Sequence, residues 1–375
     1  MKQITVMLKP ASSLCNMRCR YCFYADVSSL RSVSSFGVMT PSVLEAVLQN
    51  IFVDLSPGDT LTLAFQGGEP TLAGLDFFRN VVRLVNTYGD RAVHVEYALQ
   101  TNGLLLDGEW CSFLAENRFL VGLSIDGPSV FHDANRLDEA GKGTFQRVMR
   151  ARQELNRARV PHNVLMVLNR QMSRHPNQLW RFIVKNGMDY VQFIPCLAPL
   201  EGGDAVHALT PIQYATFYTQ LFEQWFASYQ SGAYISIKLF DDLIHLLAFG
   251  QCNACGLLGS CQPQIIVEAD GGVYPCDFYV LDQFRLGNLT QTSLRTLYES
   301  SKMSDFISRP EEEKTLCPQC PYRTVCNGGC PRMRHTVFYT QNDSQCGHRI
   351  FLDHSMAKLQ LLASQIRHSR RLDFN

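Results

Sequence analysis

Three cysteines, Cys15, Cys19 and Cys22, stand in the spacing C-x3-C-x2-C within CNMRCRYC, directly after a short apolar run. Three thiolates can hold a four-iron cluster and leave one iron without a protein ligand, whereas a fully ligated cluster takes four cysteines. An iron left open can bind and reduce a small molecule, and S-adenosylmethionine is the natural one. A zinc loop or a set of unpaired thiols is the rival reading of the same spacing.

A second array lies far along the chain. Cys261, Gly271 and Cys276 precede Cys317-x2-Cys320-x5-Cys326-x3-Cys330 and then Cys346, with Cys255 available as an eighth thiol. Eight cysteines can ligate two further clusters. Zinc ribbons also use C-x2-C pairs, but C-x2-C-x5-C-x3-C is not two separated knuckles, and the chain already carries a cluster-type loop, so iron-sulfur ligation is expected. Of the remaining thiols, Cys111 sits in the helix-like run DGEWCSFLAEN and reads as a buried, inert side chain.

Loops so far apart need a frame. Up to about residue 200, β-branched runs alternate with longer amphipathic ones, as in βαβ units. Strands are expected at Ile4 to Leu8, Leu61 to Phe65, His94 to Leu99, Leu120 to Ile125, Asn163 to Leu168 and Tyr190 to Ile194, with helices such as Ser42 to Leu55 and Thr144 to Leu155 between them. The expected fold is α/β, a partial (β/α)6 barrel of the TIM type over residues 1–235, followed by a small cysteine-rich domain over 236–375. Functional loops of such a barrel follow the strands. The motifs obey that rule: CNMRCRYC, QGGEP (Gln66 to Pro70), QTNG (Gln100 to Gly103), SIDG (Ser124 to Gly127) and PCL (Pro195 to Leu197) each follow a strand. In the second part, QIIVEADGGVYPCDF reads as a hairpin turning at Asp270-Gly271-Gly272, and Asp353 to Arg371 as a packing helix.

Lys+Arg and Asp+Glu both number 34, so the overall charge calls for neither nucleic acid nor an anionic membrane. No export signal and no long apolar span is visible, which with clustered thiols points to a cytoplasmic chain that uses cysteine for metals rather than disulfides.

Together, the CxxxCxxC loop, GGEP and the later cysteine array resemble a radical S-adenosylmethionine (radical SAM) enzyme with a SPASM domain. KPASSLCNMRCRYCFY, SFGVM, FQGGEPTL and PCDFYVLD narrow the resemblance to the anaerobic sulfatase-maturating enzymes, which convert a cysteine or serine of a sulfatase to Cα-formylglycine. The resemblance implies three 4Fe-4S clusters. Cys15, Cys19 and Cys22 would hold the cluster that binds S-adenosylmethionine, with Tyr21, Gly68, Ser124, Arg136 and Leu197 at positions contacting that cofactor. Cys255, Cys261, Cys276 and Cys330 would ligate the first auxiliary cluster, and Cys317, Cys320, Cys326 and Cys346 the second. Cys252 has no counterpart in this pattern, and its nearness to Cys255 leaves that one ligand open. The implied partners are an unfolded sulfatase polypeptide or peptide with a CxPxR or SxPxR motif and reduced ferredoxin or flavodoxin as electron donor.

Elementary chemistry supports several of these roles. Gly67 and Gly68 allow close backbone approach, Glu69 can answer an ammonium group, and Ser124 and Arg136 can bind ribose and carboxylate oxygens. Singly, these read equally well as a turn charge, a strand-end cap and an ion pair; their shared rim favours the ligand reading. The reaction also needs a base once a radical has taken hydrogen from Cβ. Asp277, directly after Cys276, is the expected base, and Tyr24 and Gln66 are expected near the peptide. Two other readings share the motifs. One is a maturase forming thioether or carbon-carbon crosslinks in a ribosomal peptide, for whose leader-recognition domain a loop starting at Cys15 leaves no room. The other is a non-catalytic iron-sulfur electron-transfer or zinc-scaffolded binding protein.

Overall fold

The computed structural model describes residues 3–372, apart from 89–91, 203–204, 253, 310–314, 341 and 343. Strands β1 (Gln3–Leu8), β2 (Thr60–Phe65), β3 (His94–Thr101), β4 (Leu120–Ser124), β5 (His162–Leu168) and β6 (Tyr190–Pro195) coincide with the six expected from sequence, to within a residue or two at each end. Large apolar side chains alternate along them. In β2, Leu61, Leu63 and Phe65 are wholly buried and the residues between them are half-buried.

The chain divides into two compact units. The first comprises Met1–Ile125, His132–His162 and Pro263–Arg309. Within it β1 to β4 run parallel in chain order, with Leu8 level with Phe65 and Phe65 level with Leu99. That register brings the segments after these strands out along one edge of the sheet. The helix Pro41–Phe52 covers a face of the first unit because Leu44, Val47, Leu48 and Ile51 fall on one side; Thr40 caps it, accepting from the Val43 amide, and a proline occupies its first turn. Phe65, Phe78, Phe119 and Trp110 form an aromatic core around β2 and β4.

The expected hairpin is present: β8 (Ile265–Val267) and β9 (Gly272–Tyr274) are antiparallel around Asp270-Gly271. It does more than the sequence suggests. β8 also pairs in parallel with β1, Leu8 opposite Val267, and β10 (Gly287–Asn288) adds antiparallel to β9. The hairpin thereby covers the backbone edge that β1 would otherwise expose, and the parallel sheet remains open, not closed into a barrel.

The second unit comprises Asp126–Phe131, Asn163–Gln262 and Pro310–Asn375. Here β5 and β6 are parallel, and β7 (Ser236–Ile237) extends them. The helix Pro211–Gln230 starts with a full capping box between Thr210 and Gln213 and buries Phe217, Leu221, Phe222 and Trp225. The last helix runs from Gly347 instead of Asp353. Its first turn, GHRI, hides from apolar periodicity because it begins with a glycine and two polar residues. The glycine is required, since a Cβ there would lie 2.1 Å from the Pro211 carbonyl oxygen.

Candidate active site

Between β1 and the helix Phe23–Ser29 the chain makes the loop that carries Cys15, Cys19 and Cys22. Cys15 and Cys19 are half-buried and Cys22 is exposed. Burial pushes the Cys15 thiol up to about 12, opposed by the Met17 amide and reinforced by the nearby charges of Glu69, Cys19 and Cys22. Cys19 and Cys22 act electrostatically on Cys15, and thiols so placed suit a metal group that supplies positive charge.

The GGEP segment is clamped to this loop. Gly68 N donates to the Ser12 carbonyl at 2.8 Å and Glu69 N to the Leu14 carbonyl at 2.7 Å. A Cβ on Gly68 would stand 2.1 Å from the Leu14 oxygen, and Gly67 has φ +135°. The glycines therefore serve first to let two backbones touch; sequence reasoning had assigned their close approach to a ligand. Glu69 is buried, and its carboxylate accepts from the Thr71 amide and hydroxyl, the Thr101 hydroxyl (2.7 Å) and the Asn102 amide (2.7 Å). Burial raises its pKa against these donors, all of them neutral.

Other rim residues converge on the same loop. Asn102, after β3, donates to Asn16 Oδ1 at 2.8 Å, with Cys15 Sγ at 3.8 Å. Gln100 donates to the Ser124 hydroxyl at 3.1 Å. The amides of Arg18 and Arg20 bond the carbonyls of Leu137 and Asn135, which brings the Arg136 guanidinium over the Tyr21 ring, 5.7 Å from its centroid. Leu197 follows β6 in the second unit and is half-buried.

Asp277 opens a short 3-10 turn directly after Cys276. Its carboxylate accepts from Lys9 Nζ at 2.6 Å and from Gln66 Nε2 at 3.1 Å. The Lys9 side chain is 0 % exposed and that of Asp277 13 %. Lys9 also lies over the Tyr24 ring, 3.9 Å from its centroid. Behind it, Tyr24 and Arg31 both donate to the buried Glu268. Burial alone would push the Glu268 carboxyl up, but Arg31, the Tyr24 hydroxyl and Lys9 hold it below the usual carboxylate range. Asp277, Gln66 and Tyr24 are residues the sequence singles out; Lys9, Arg31 and Glu268, which join them here, are not. Lys9 carried one signal, a charged residue immediately after a buried apolar strand. Tyr24 is itself buried and donates its hydroxyl to Glu268.

In the second unit the cysteines form two groups. Cys330 is in electrostatic reach of Cys255 and Cys261, and Gly256 packs so closely on Cys330 that a Cβ would stand 2.6 Å from its Cβ. Cys252 instead lines a cavity of about 600 Å³ with Trp225, Tyr229, Asp241 and His245. Cys317, Cys320, Cys326 and Cys346 line one pocket with Tyr339. Burial pushes the Cys326 thiol up to about 12, and the other three thiols act on it in the same direction. Cys276 belongs to the first unit. Cys111 is buried in the helix Gly108–Glu116 with its thiol pushed up to about 11, as expected of an inert core cysteine.

Residues 10–179 match the radical SAM superfamily, and residues 260–321 match SPASM, an iron-sulfur cluster-binding domain. An open parallel sheet with a three-cysteine loop at its edge is thus the frame of a radical SAM enzyme with an auxiliary cluster domain. A cysteine-type anaerobic sulfatase-maturating enzyme of Clostridium novyi (strain NT) is 38 % identical over 371 residues, 98 % of this chain and 99 % of that one. A serine-type enzyme of Bacteroides thetaiotaomicron is 30 % identical over 350 residues, covering 89 % and 84 %. The solved structure of native anSMEcpe with bound AdoMet and Cp18Cys peptide superposes with a TM-score of 0.88 at 37 % identity, over 97 % of this chain and 99 % of that one. The chain belongs to the anaerobic sulfatase-maturating enzymes, radical SAM enzymes that activate sulfatases by post-translational modification. Membership sets aside the zinc module and the electron carrier, and leaves the crosslinking maturase with only the shared scaffold in its favour.

Proposed function

We propose that this chain oxidises a cysteine of a sulfatase polypeptide to Cα-formylglycine with Asp277 as the general base. The observation that carries this reading is the Asp277 carboxylate, fixed by Lys9 from the start of the cluster loop and by Gln66 from the start of GGEP. Higher identity to the cysteine-type than to the serine-type relative supports cysteine as the target. Cys15, Cys19 and Cys22 would hold the first cluster, Cys255, Cys261, Cys276 and Cys330 the second, and Cys317, Cys320, Cys326 and Cys346 the third. When bound, S-adenosylmethionine and its cluster supply the radical that takes a hydrogen atom from Cβ, and the auxiliary clusters supply an electron acceptor.

The protein's own part is positional and acid-base. Tyr21, Gly68, Ser124, Arg136 and Leu197 would contact the cofactor, and Glu69 would pair with its ammonium group. Asp277 takes the proton of the substrate thiol as the C–S bond becomes a double bond and one electron departs; water then replaces sulfur, leaving the aldehyde. Two hydrogen bonds to the carboxylate leave lone pairs free to accept that proton. A CxPxR motif in the substrate, reduced ferredoxin or flavodoxin as donor and a cytoplasmic location complete the reading. Among the described residues, no helix is long and apolar enough to cross a membrane.

Asp277→Asn tests it. The variant keeps its iron and its affinity for a cysteine peptide but loses about 10²- to 10⁴-fold in formylglycine formation. Turnover at the parent rate would remove Asp277 from the mechanism.

A further inference from the structure

Tyr339 joins two of the cysteines proposed for the second auxiliary cluster. Its hydroxyl hydrogen-bonds Cys317 Sγ, and its backbone forms an antiparallel bridge with Cys346. Tyr339 is 1 % exposed and lines the same pocket as Cys317, Cys320, Cys326 and Cys346. The ring is held from two further directions. The Arg334 guanidinium lies over it, 4.4 Å from the centroid, and Tyr339 N donates to the Arg334 carbonyl at 2.8 Å. A phenylalanine has the same ring and lacks only the hydroxyl. What tyrosine adds is an O–H that needs an acceptor when buried, and a Cys317 sulfur ligated as thiolate has no proton and can only accept.

Hydrogen bonds to ligating sulfur, nearby charge and exclusion of solvent are the means by which a protein sets an iron-sulfur potential. A donor on a thiolate withdraws electron density and favours the reduced cluster, which carries one more negative charge. Arg334 adds positive charge over the ring face. We propose that Tyr339 donates to the Cys317 thiolate of the second auxiliary cluster and raises that cluster's reduction potential. The inference rests on the reading of Cys317 and Cys346 as ligands of that cluster.

Redox titration of the anaerobically reconstituted full chain, followed by electron paramagnetic resonance, compares the parent with Tyr339→Phe, which keeps the ring and its contact with Arg334. One of the three midpoint potentials falls by the equivalent of about tenfold in the reduction equilibrium, ~59 mV for a one-electron couple. The other two midpoints and the iron content stay unchanged. Full iron content with three unaltered midpoints overturns the proposal. Should the variant lose the cluster, proton double resonance on the reduced parent decides instead: a strongly coupled proton that disappears in deuterated water is expected, and its absence contradicts the hydrogen bond. The ligand reading fails separately, if Cys317→Ala and Cys346→Ala retain the iron of all three clusters.

Discussion

In the proposed reaction Asp277 is the base, and Lys9 fixes its carboxylate at 2.6 Å. A carboxylate with 13 % exposed side chain beside a fully buried ammonium at 2.6 Å is a pair that neither partner can leave without cost. Removing one member of such a pair strands the other charge away from water, a loss of roughly 3 kcal/mol or more. Lys9→Met, similar in length and apolar, removes the charge while filling the space over the Tyr24 ring. The variant is expected to unfold at lower temperature and to lose about tenfold in the rate of formylglycine formation, with KM for the peptide little changed, since the Asp277 carboxylate keeps its bond from Gln66 but loses the ammonium. Steady-state kinetics with thermal unfolding checks this; a raised KM at unchanged kcat would instead make Lys9 a peptide-binding residue. None of this pairing was legible in the sequence, because Lys9 and Asp277 are separated by most of the chain and a lysine after an apolar strand reads as a surface charge. Asp277 was found because it follows a cluster-type cysteine.

At the scale of elements, the cluster loop is built by contact with GGEP as much as by its own sequence. Two backbone hydrogen bonds, Gly68 to Ser12 and Glu69 to Leu14, run between the segments that follow β1 and β2. Gly68→Ala would place a methyl group 2.1 Å from a carbonyl oxygen, so the segments must separate. The expected outcome is a selective loss of one cluster's iron and of S-adenosylmethionine binding, with the iron of the SPASM region retained. Equal iron in variant and parent would mean that the clamp does not shape the cluster loop. The six parallel strands and the loops after them were legible because alternation of buried residues and turn-forming motifs are local signals. The addition of β8 to β1 was not, since a three-residue strand, IIV, has no periodicity to show which edge it will join.

For the molecule as a whole, cysteine spacing carried the most information. It set the thiols of the metal motifs apart from Cys111, and within the second unit Cys317, Cys320, Cys326 and Cys346, the four that the family resemblance groups together, line one pocket. Spacing alone left Cys252 and Cys255 undecided, because two thiols three residues apart look alike until one is seen in a different cavity. The central claim is that these parts together turn a sulfatase cysteine into an aldehyde. Its most direct test is mass spectrometry of a cysteine-bearing sulfatase peptide after anaerobic incubation with the reconstituted chain, S-adenosylmethionine and a reductant. The account predicts that the target residue loses sulfur and two hydrogens and gains one oxygen while 5′-deoxyadenosine forms. Formation of 5′-deoxyadenosine with a crosslinked peptide, or with the cysteine left intact, would contradict it.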